Sequence, residues 1–306
     1  MTDLPAPGAG ADPSAQALAD ALPEIRSTKT KGWALCVMTV AVSAVALILV
    51  SGAEDGFQWV IMVLFIGAFA LAGIHGWVRR QHERAVMPVI ARAFGLDYEK
   101  APKDFYPTLP QNFIPQGGRR SVDDMMRGTV AGRSFRFAEC KTETGGKNSS
   151  TLFQGLVLEV RASGTVPEFI IASEKETKGF LFFKGKVQVE GMDLIHQSTG
   201  ADGQTYGLWS RSGAPRQMAG LGAFMDRIIA LGPRVLGSAT LYSLVSTGKN
   251  YFVSLRHKRD LYRIGGLLTD EAEVMSHIRM AAQELGHPIA LATEILRAEE
   301  ALLAAK

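Results

Sequence analysis

Two long apolar runs dominate the pattern of hydrophobic and polar positions along the chain. Gly32 to Val50 (GWALCVMTVAVSAVALILV) holds nineteen residues without a charge, and Phe57 to Val78 (FQWVIMVLFIGAFALAGIHGWV) holds twenty-two with one histidine near its end. A bilayer core about 30 Å thick takes roughly 20 helical residues at about 1.5 Å each, so both runs are long enough to span. Neither carries the one-sided stripe of an amphipathic helix, because the whole circumference is apolar. A pair of buried helices in a soluble core is the alternative, but buried helices of this length seldom stay uncharged. Three of the four tryptophans, Trp33, Trp59 and Trp77, stand at ends of the runs, where indole favours the membrane–water interface.

Flanking charge orients the pair. Arg26, Lys29 and Lys31 precede the first run, and Arg79, Arg80 and Arg84 follow the second. The link from Ser51 to Gly56 carries Glu54 and Asp55 and no base. The positive-inside rule therefore predicts a transmembrane hairpin over 32–78, with both termini cytoplasmic and the acidic turn outside. A signal peptide cleaved near Ser51-Gly52-Ala53 is the rival reading; against it, the first run is longer than a usual signal core and a long tail precedes it. Ala68, Ala72 and Gly76 recur every fourth residue, a small-residue face suited to a helix contact within the hairpin or between protomers. His75 lies beside that face, near headgroup water rather than deep in the run.

The rest of the chain predicts an α+β domain. Residues 1–31, rich in Ala, Pro, Gly and Asp, read as a disordered cytoplasmic tail with a short helix near Ala15 to Ala21. Over 79–118 a juxtamembrane helix runs from Gln81 to Leu96, kinked at Pro88, and passes into an irregular stretch punctuated by Pro102, Pro107, Pro110 and Pro115. From 119 to 306 the texture is that of a cytosolic antiparallel sheet with flanking and C-terminal helices. Alternation predicts a hairpin of Met126 to Val130 with Ser134 to Lys141, then strands at Thr151 to Arg161, Glu168 to Ala172, Phe180 to Glu190 and Thr205 to Ser210. A second hairpin joins Leu241 to Val245 with Tyr251 to Leu255 around Thr247-Gly248-Lys249-Asn250. Helices are predicted at Ala219 to Leu231, from a Thr269 cap to Gly286, and from Pro288 to about Ala304.

Composition narrows the class. At 47% hydrophobic and 21% charged residues the chain is neither disordered nor collagen-like, and two cysteines in 306 residues exclude a disulfide scaffold or a four-cysteine zinc site. The net charge of +3 is unevenly spread: 30 bases and 24 acids follow Val78, which makes the C-terminal part +6. Arg79, Arg80, Arg84, Arg119 and Arg120 are placed to meet anionic lipid headgroups. Arg256, His257, Lys258, Arg259 and Arg263 form a second basic cluster, read as a solvated loop; no aromatic stacking motif accompanies either cluster, so nucleic acid is not an expected partner.

The search for chemistry returns little. There is no HExxH, and histidines 75, 82, 196, 257, 277 and 287 never fall at metal-ligand spacing with a carboxylate. Gly145-Gly146-Lys147-Asn148 lacks the spacing of a phosphate loop, Gly220-Leu221-Gly222 follows no strand closely, and no GxSxG occurs. Cys36 lies in the first run, and Cys140, beside Lys141, reads as a small buried residue rather than a reactive thiol. Asp123 and Asp124 are adjacent, and neighbouring residues usually point to different sides, so they read as turn or cap residues. An enzyme whose site is assembled without a linear motif would use Asp123, Asp124 and Glu139 first. No catalytic, cofactor-binding or metal-binding residue is assigned.

The order of these features resembles a bacterial family of membrane proteins, domain of unknown function 3137. The resemblance is carried by the two spans, by Asp123-Asp124-Met125-Met126-Arg127-Gly128 with Phe135 to Glu139, and by Leu152-Phe153-Gln154-Gly155-Leu156. Tyr251 to Leu255 and the terminal helices also fit, so that residues 30 to 300 are covered. The chain departs from the family's Phe-x-Gly-Leu-Phe at Val157. The resemblance implies an inner-membrane protein and supplies no activity or cofactor. The expectation is a membrane-anchored interaction or scaffold protein with lipid and a protein partner or second copy as its contacts. A membrane-bound enzyme and an accessory subunit of a transporter are the alternatives.

Overall fold

A computed structural model of the chain describes residues 13–51, 56–111, 113–115, 117–146, 149–174, 189, 191–200, 202–211, 220–231, 233–257, 259 and 261–304. Two compact units divide it: Met1–Phe94 with Tyr262–Ala282, and Gly95–Leu261 with Gln283–Lys306. The first unit contains α1 (Pro13–Val50), α2 (Gly56–Ala93) and the start of the last helix. The second contains β1 (Asp97–Lys100), β2 (Arg119–Val130), β3 (Arg133–Glu143), β4 (Thr151–Arg161), β5 (Glu168–Ser173), β6 (Asp193–Thr199) and β7 (Thr205–Ser210). It continues with α3 (Leu221–Ile229), α4 (Pro233–Leu236), β8 (Thr240–Thr247), β9 (Asn250–Arg256) and the remainder of α5 (Glu271–Ala304).

In the first unit each hairpin helix is 38 residues long and outruns its apolar stretch. α1 begins at Pro13, so residues 13–31 are helical where a disordered tail was predicted. Proline suits a first turn, Ala15 to Leu22 are good helix formers, and Ala21, Ile25 and Thr28 bury one stripe at helical spacing. α2 passes through Pro88 and ends at Ala93, three residues short of the expected Leu96. The two helices meet where Gly67 faces Ser43, and nearer the basic end Cys36, Val78 and Leu267 form an apolar cluster with Leu71, Ile74 and Trp77.

The second unit is built on a nine-stranded sheet in the order β1-β2-β3-β4-β9-β8-β5-β7-β6, antiparallel at every step. The β8–β9 hairpin stands between β4 and β5, which are consecutive in sequence. One face packs Ala138, Cys140, Val157, Ile170, Trp209, Tyr242 and Phe252 beneath Phe105, Phe113 and Ile114 of the proline-rich stretch. Ser243 fastens that stretch, its hydroxyl 3.2 Å from the Phe113 carbonyl and 2.7 Å from Ser254 Oγ. On the other face Phe224 of α3 lies 5.3 Å from Phe169 and 5.8 Å from Tyr251. α5 is tied in by Glu299, whose carboxylate accepts the Ser163 amide at 2.9 and 3.1 Å.

The predicted strands at Thr151 to Arg161, Glu168 to Ala172 and Thr205 to Ser210, and the second hairpin, appear within a few residues of their expected bounds. The first hairpin forms too, but β2 begins at Arg119, seven residues before the expected Met126, and so takes in Asp123 and Asp124. β1 and β6 were not anticipated, and Phe180 to Glu190 lies outside the described residues apart from Val189. Helix α5 corrects the sequence reading: Gly286 does not end it and Pro288 opens nothing new, because both lie within one continuous helix. Its cap is Asp270 rather than Thr269. Asp270 Oδ1 accepts the Glu273 amide at 2.8 Å while Glu273 Oε2 accepts the Asp270 amide at 3.3 Å, a reciprocal capping box.

Candidate functional site

The first candidate site is the outer surface of the hairpin. Of the 21 large hydrophobic side chains exposed among the described residues, 17 lie between Trp33 and Phe69. Ile48 and Leu49 are 74% exposed and Phe57 is 79% exposed, far beyond the scattered apolar surface that any soluble protein shows. Trp33 and Trp59 are each 47% exposed at ends of this band, whereas Trp77 is half-buried against the Cys36–Val78 cluster. Arg80 and Arg84 are exposed below it. Arg79 is not: it is half-buried, 3.4 Å from the buried carboxylate of Glu83. Ala68 and Ala72 are exposed and Gly76 is half-buried. They do not form the contact inside the hairpin, which runs through Gly67 instead, where a Cβ would stand 3.0 Å from Ser43 Oγ. A stripe of every-fourth small residues cannot tell from sequence whether it lies inside the hairpin contact; the exposure of Ala68 and Ala72 places them outside it.

The second candidate is a polar row across the sheet. The β2–β3 register shifts between Val122 and Met125, so that Asp123 and Asp124 together oppose Glu139. This is a β-bulge, which sets two residues of one strand against one of the next. It corrects the expectation that the adjacent aspartates point apart. Lys100 of β1 reaches both, with Nζ 2.7 Å from Asp123 Oδ1 and 3.0 Å from Asp124 Oδ1. The Tyr98 hydroxyl also donates to Asp124 Oδ1. Beyond Glu139 the row ends at His257, whose Nε2 is 3.9 Å from Glu139 Oε1.

Burial decides the electrostatics here. It pushes the Asp124 carboxyl up despite the Lys100 ammonium and the Tyr98 hydroxyl. Burial also works against the charge on Lys100, but the two aspartates outweigh it and hold the ammonium above the ordinary lysine range. His257 is pushed down to about 4 by burial, so its imidazole is neutral at neutral pH. Of the basic cluster read as a solvated loop, His257 is therefore a core residue. Arg256 stacks 4.7 Å from the centre of the Tyr242 ring, and Arg259 is exposed and pairs with Glu284. Cys140 is buried too, and burial pushes its thiol up, which removes thiolate character.

Sequence reasoning named the three acids but not Lys100 or Tyr98, and it placed His257 in a solvated basic loop rather than with them. The available signal was parity: Glu139 shares the alternation of Phe135 and Phe137 and so had to be buried. Among the described residues no group of three or more His, Cys, Asp or Glu could hold a metal ion. A mainly apolar cavity of about 220 Å³ lined by Ile228, Leu236, Leu241 and Leu291 lies apart from the row. So does a cleft of about 280 Å³ at Tyr106, Pro110 and Arg120. None of the row's residues lines either cavity.

Fold and surface together define a class: an α+β protein with a large antiparallel sheet and two helices, Ala19–Val50 and Phe57–Ala93, long and apolar enough to cross a membrane. No family model matches the chain, and no curated protein matches it. Among solved structures, the crystal structure of the mycobacterial trehalose monomycolate transport factor A is similar at a TM-score of 0.35 and 10% identity, over 65% of this chain and 91% of that one. A likeness at that score transfers no role to this chain.

Proposed function

We propose that the protein is a membrane-anchored interaction or scaffold protein that presents its sheet unit at the cytoplasmic face of a bacterial inner membrane. The observation that carries this reading is the continuous exposed apolar band on α1 and α2, which in water would be an aggregation surface and in lipid is the expected one. Arg26, Lys29, Lys31, Arg80 and Arg84 at one end and Glu54 and Asp55 at the other favour both termini inside. Trp33, Trp59 and Trp77 serve as the interfacial belt. Arg80 and Arg84 meet anionic headgroups at about 1 kcal/mol each. Arg79, already paired with Glu83, adds less. Ala68 and Ala72, turned away from α1, offer a close-packing face to a partner helix or a second copy. The sequence resemblance to domain of unknown function 3137 accords with this placement. An accessory subunit of a transporter would use the same anchor. Alkaline extraction of membranes containing the full chain tests the anchor. The protein is expected to stay in the pellet, and release into the supernatant would overturn the reading.

A further inference from the structure

The segment that joins β9 to α5 reads YRIGGLLT over residues 262–269 and carries one base and no acid. Tyr262, Ile264, Gly265, Gly266 and Leu267 are buried; Arg263 and Leu268 point outward, and Leu268 is 74% exposed. An isolated exposed leucine is ordinary. This one is distinguished by where it is held. Leu267 belongs to the apolar cluster of Cys36 and Val78, and its Cδ1 lies 2.9 Å from the point a Cβ on Gly32 would occupy. Gly32 opens the first apolar run and Val78 closes the second, with Trp33 and Trp77 beside them. Leu267 thus marks the lower edge of the exposed band, and Leu268 is one Cα step of about 3.8 Å away.

The segment is fastened at that level by all the elements around it. Lys29 Nζ of α1 donates to the Thr269 carbonyl at 2.8 Å. The Gly265 amide donates to His277 Nδ1 of α5 at 3.1 Å. Two histidines of α2 crowd the glycine pair. A Cβ on Gly265, where φ is +61°, would stand 2.5 Å from His82 Nδ1, and one on Gly266 would stand 2.9 Å from His75 Cε1. Side chains are excluded at both positions, and Leu268 is displayed at a fixed depth rather than on a free loop.

We propose that residues 262–269 are a third membrane-contacting element, with Leu268 seated at the boundary between headgroups and acyl chains. The proposal rests on the reading that the hairpin crosses the bilayer. Continuity with the apolar band selects lipid as the occupant, and Arg263, the other outward residue, suits an anionic surface. Interfacial segments of this kind bury their apolar side chains about 5–10 Å below the headgroups.

The test uses the full chain carrying Leu268→Cys or, separately, Phe65→Cys, each labelled with an environment-sensitive fluorophore. The protein is reconstituted into phosphatidylcholine–phosphatidylglycerol vesicles with or without acyl-brominated lipid; unsubstituted protein reports any labelling of the buried Cys36 and Cys140. Bromines near the headgroup end of the chains are expected to reduce the Leu268 signal by about half, as a seat about 5–10 Å deep requires. The Phe65 label should respond more to deeply placed bromines. A quenched Phe65 label with an unquenched Leu268 label overturns the loop proposal and leaves the hairpin standing. If neither label is quenched, the hairpin reading fails and the loop proposal falls with it.

Discussion

Gly155→Ala is expected to destabilise the sheet unit by about 3 kcal/mol or more, the range of severe overpacking. A Cβ at this position would stand 1.9 Å from the Leu255 carbonyl oxygen and 2.9 Å from both the Leu255 carbonyl carbon and the Phe153 ring. Gly155 sits in β4, paired with Cys140 on one side and Arg256 on the other. Relief would mean moving a central strand away from β9, at the expense of ladder hydrogen bonds. No flexible side-chain end can give way, because the nearest atom is backbone. Gly73→Ala is the control, since a Cβ there meets nothing within 4 Å. The denaturant midpoint of the detergent-solubilised protein should fall sharply for the first variant and stay put for the second; equal midpoints would contradict the register of β4 and β9.

The second large effect belongs to the ionic row. Lys100→Met leaves Asp124, with its side chain 2% exposed, buried without its cation. Breaking a buried pair from one side typically costs about 3–5 kcal/mol, because a charge remains without compensation. The loss should be largely recovered in Lys100→Met with Asp124→Asn, which removes the stranded charge and keeps a partner for the Tyr98 hydroxyl. The same denaturation midpoints measure both. A single variant as stable as the parent would show that Asp124 is not held by Lys100. A double variant no better than the single would show that lost packing, rather than charge, dominates.

The legible parts of the sequence were those with a strong local signal. The two apolar runs needed no tertiary context, and Thr151 to Arg161 and Thr205 to Ser210 are short, mainly apolar runs bounded by turn residues that form largely buried strands. β1 and β6 were hidden for the opposite reason. DYEK and DLIHQST lie at the two edges of the sheet and bury none of their residues fully, so hydropathy carries little trace of them. Pro288 misled because a proline usually opens or breaks a helix. In α5 the buried Ala281 and Leu285 before it and Leu291 and Ile295 after it hold the helix through the missing hydrogen bond.

The polar row shows a further limit of local reading. Asp123, Asp124 and Glu139 were visible as acids, but a one-residue bulge turned two neighbours toward the same lysine, and nothing local marks a bulge without glycine. His257 looked like part of a solvated basic run and is instead core, because the chain leaves β9 inward. The apolar surface of the hairpin, by contrast, follows from composition, and its side chains are exposed among the described residues.

Paired reporter fusions test the central claim most directly. A reporter active only outside the cytoplasm, inserted between Ser51 and Gly56, is expected to be active, and the same reporter after Lys306 is expected to be silent. Activity at Lys306 together with silence in the turn would contradict the orientation that the flanking bases predict, and activity at both sites would contradict the hairpin itself.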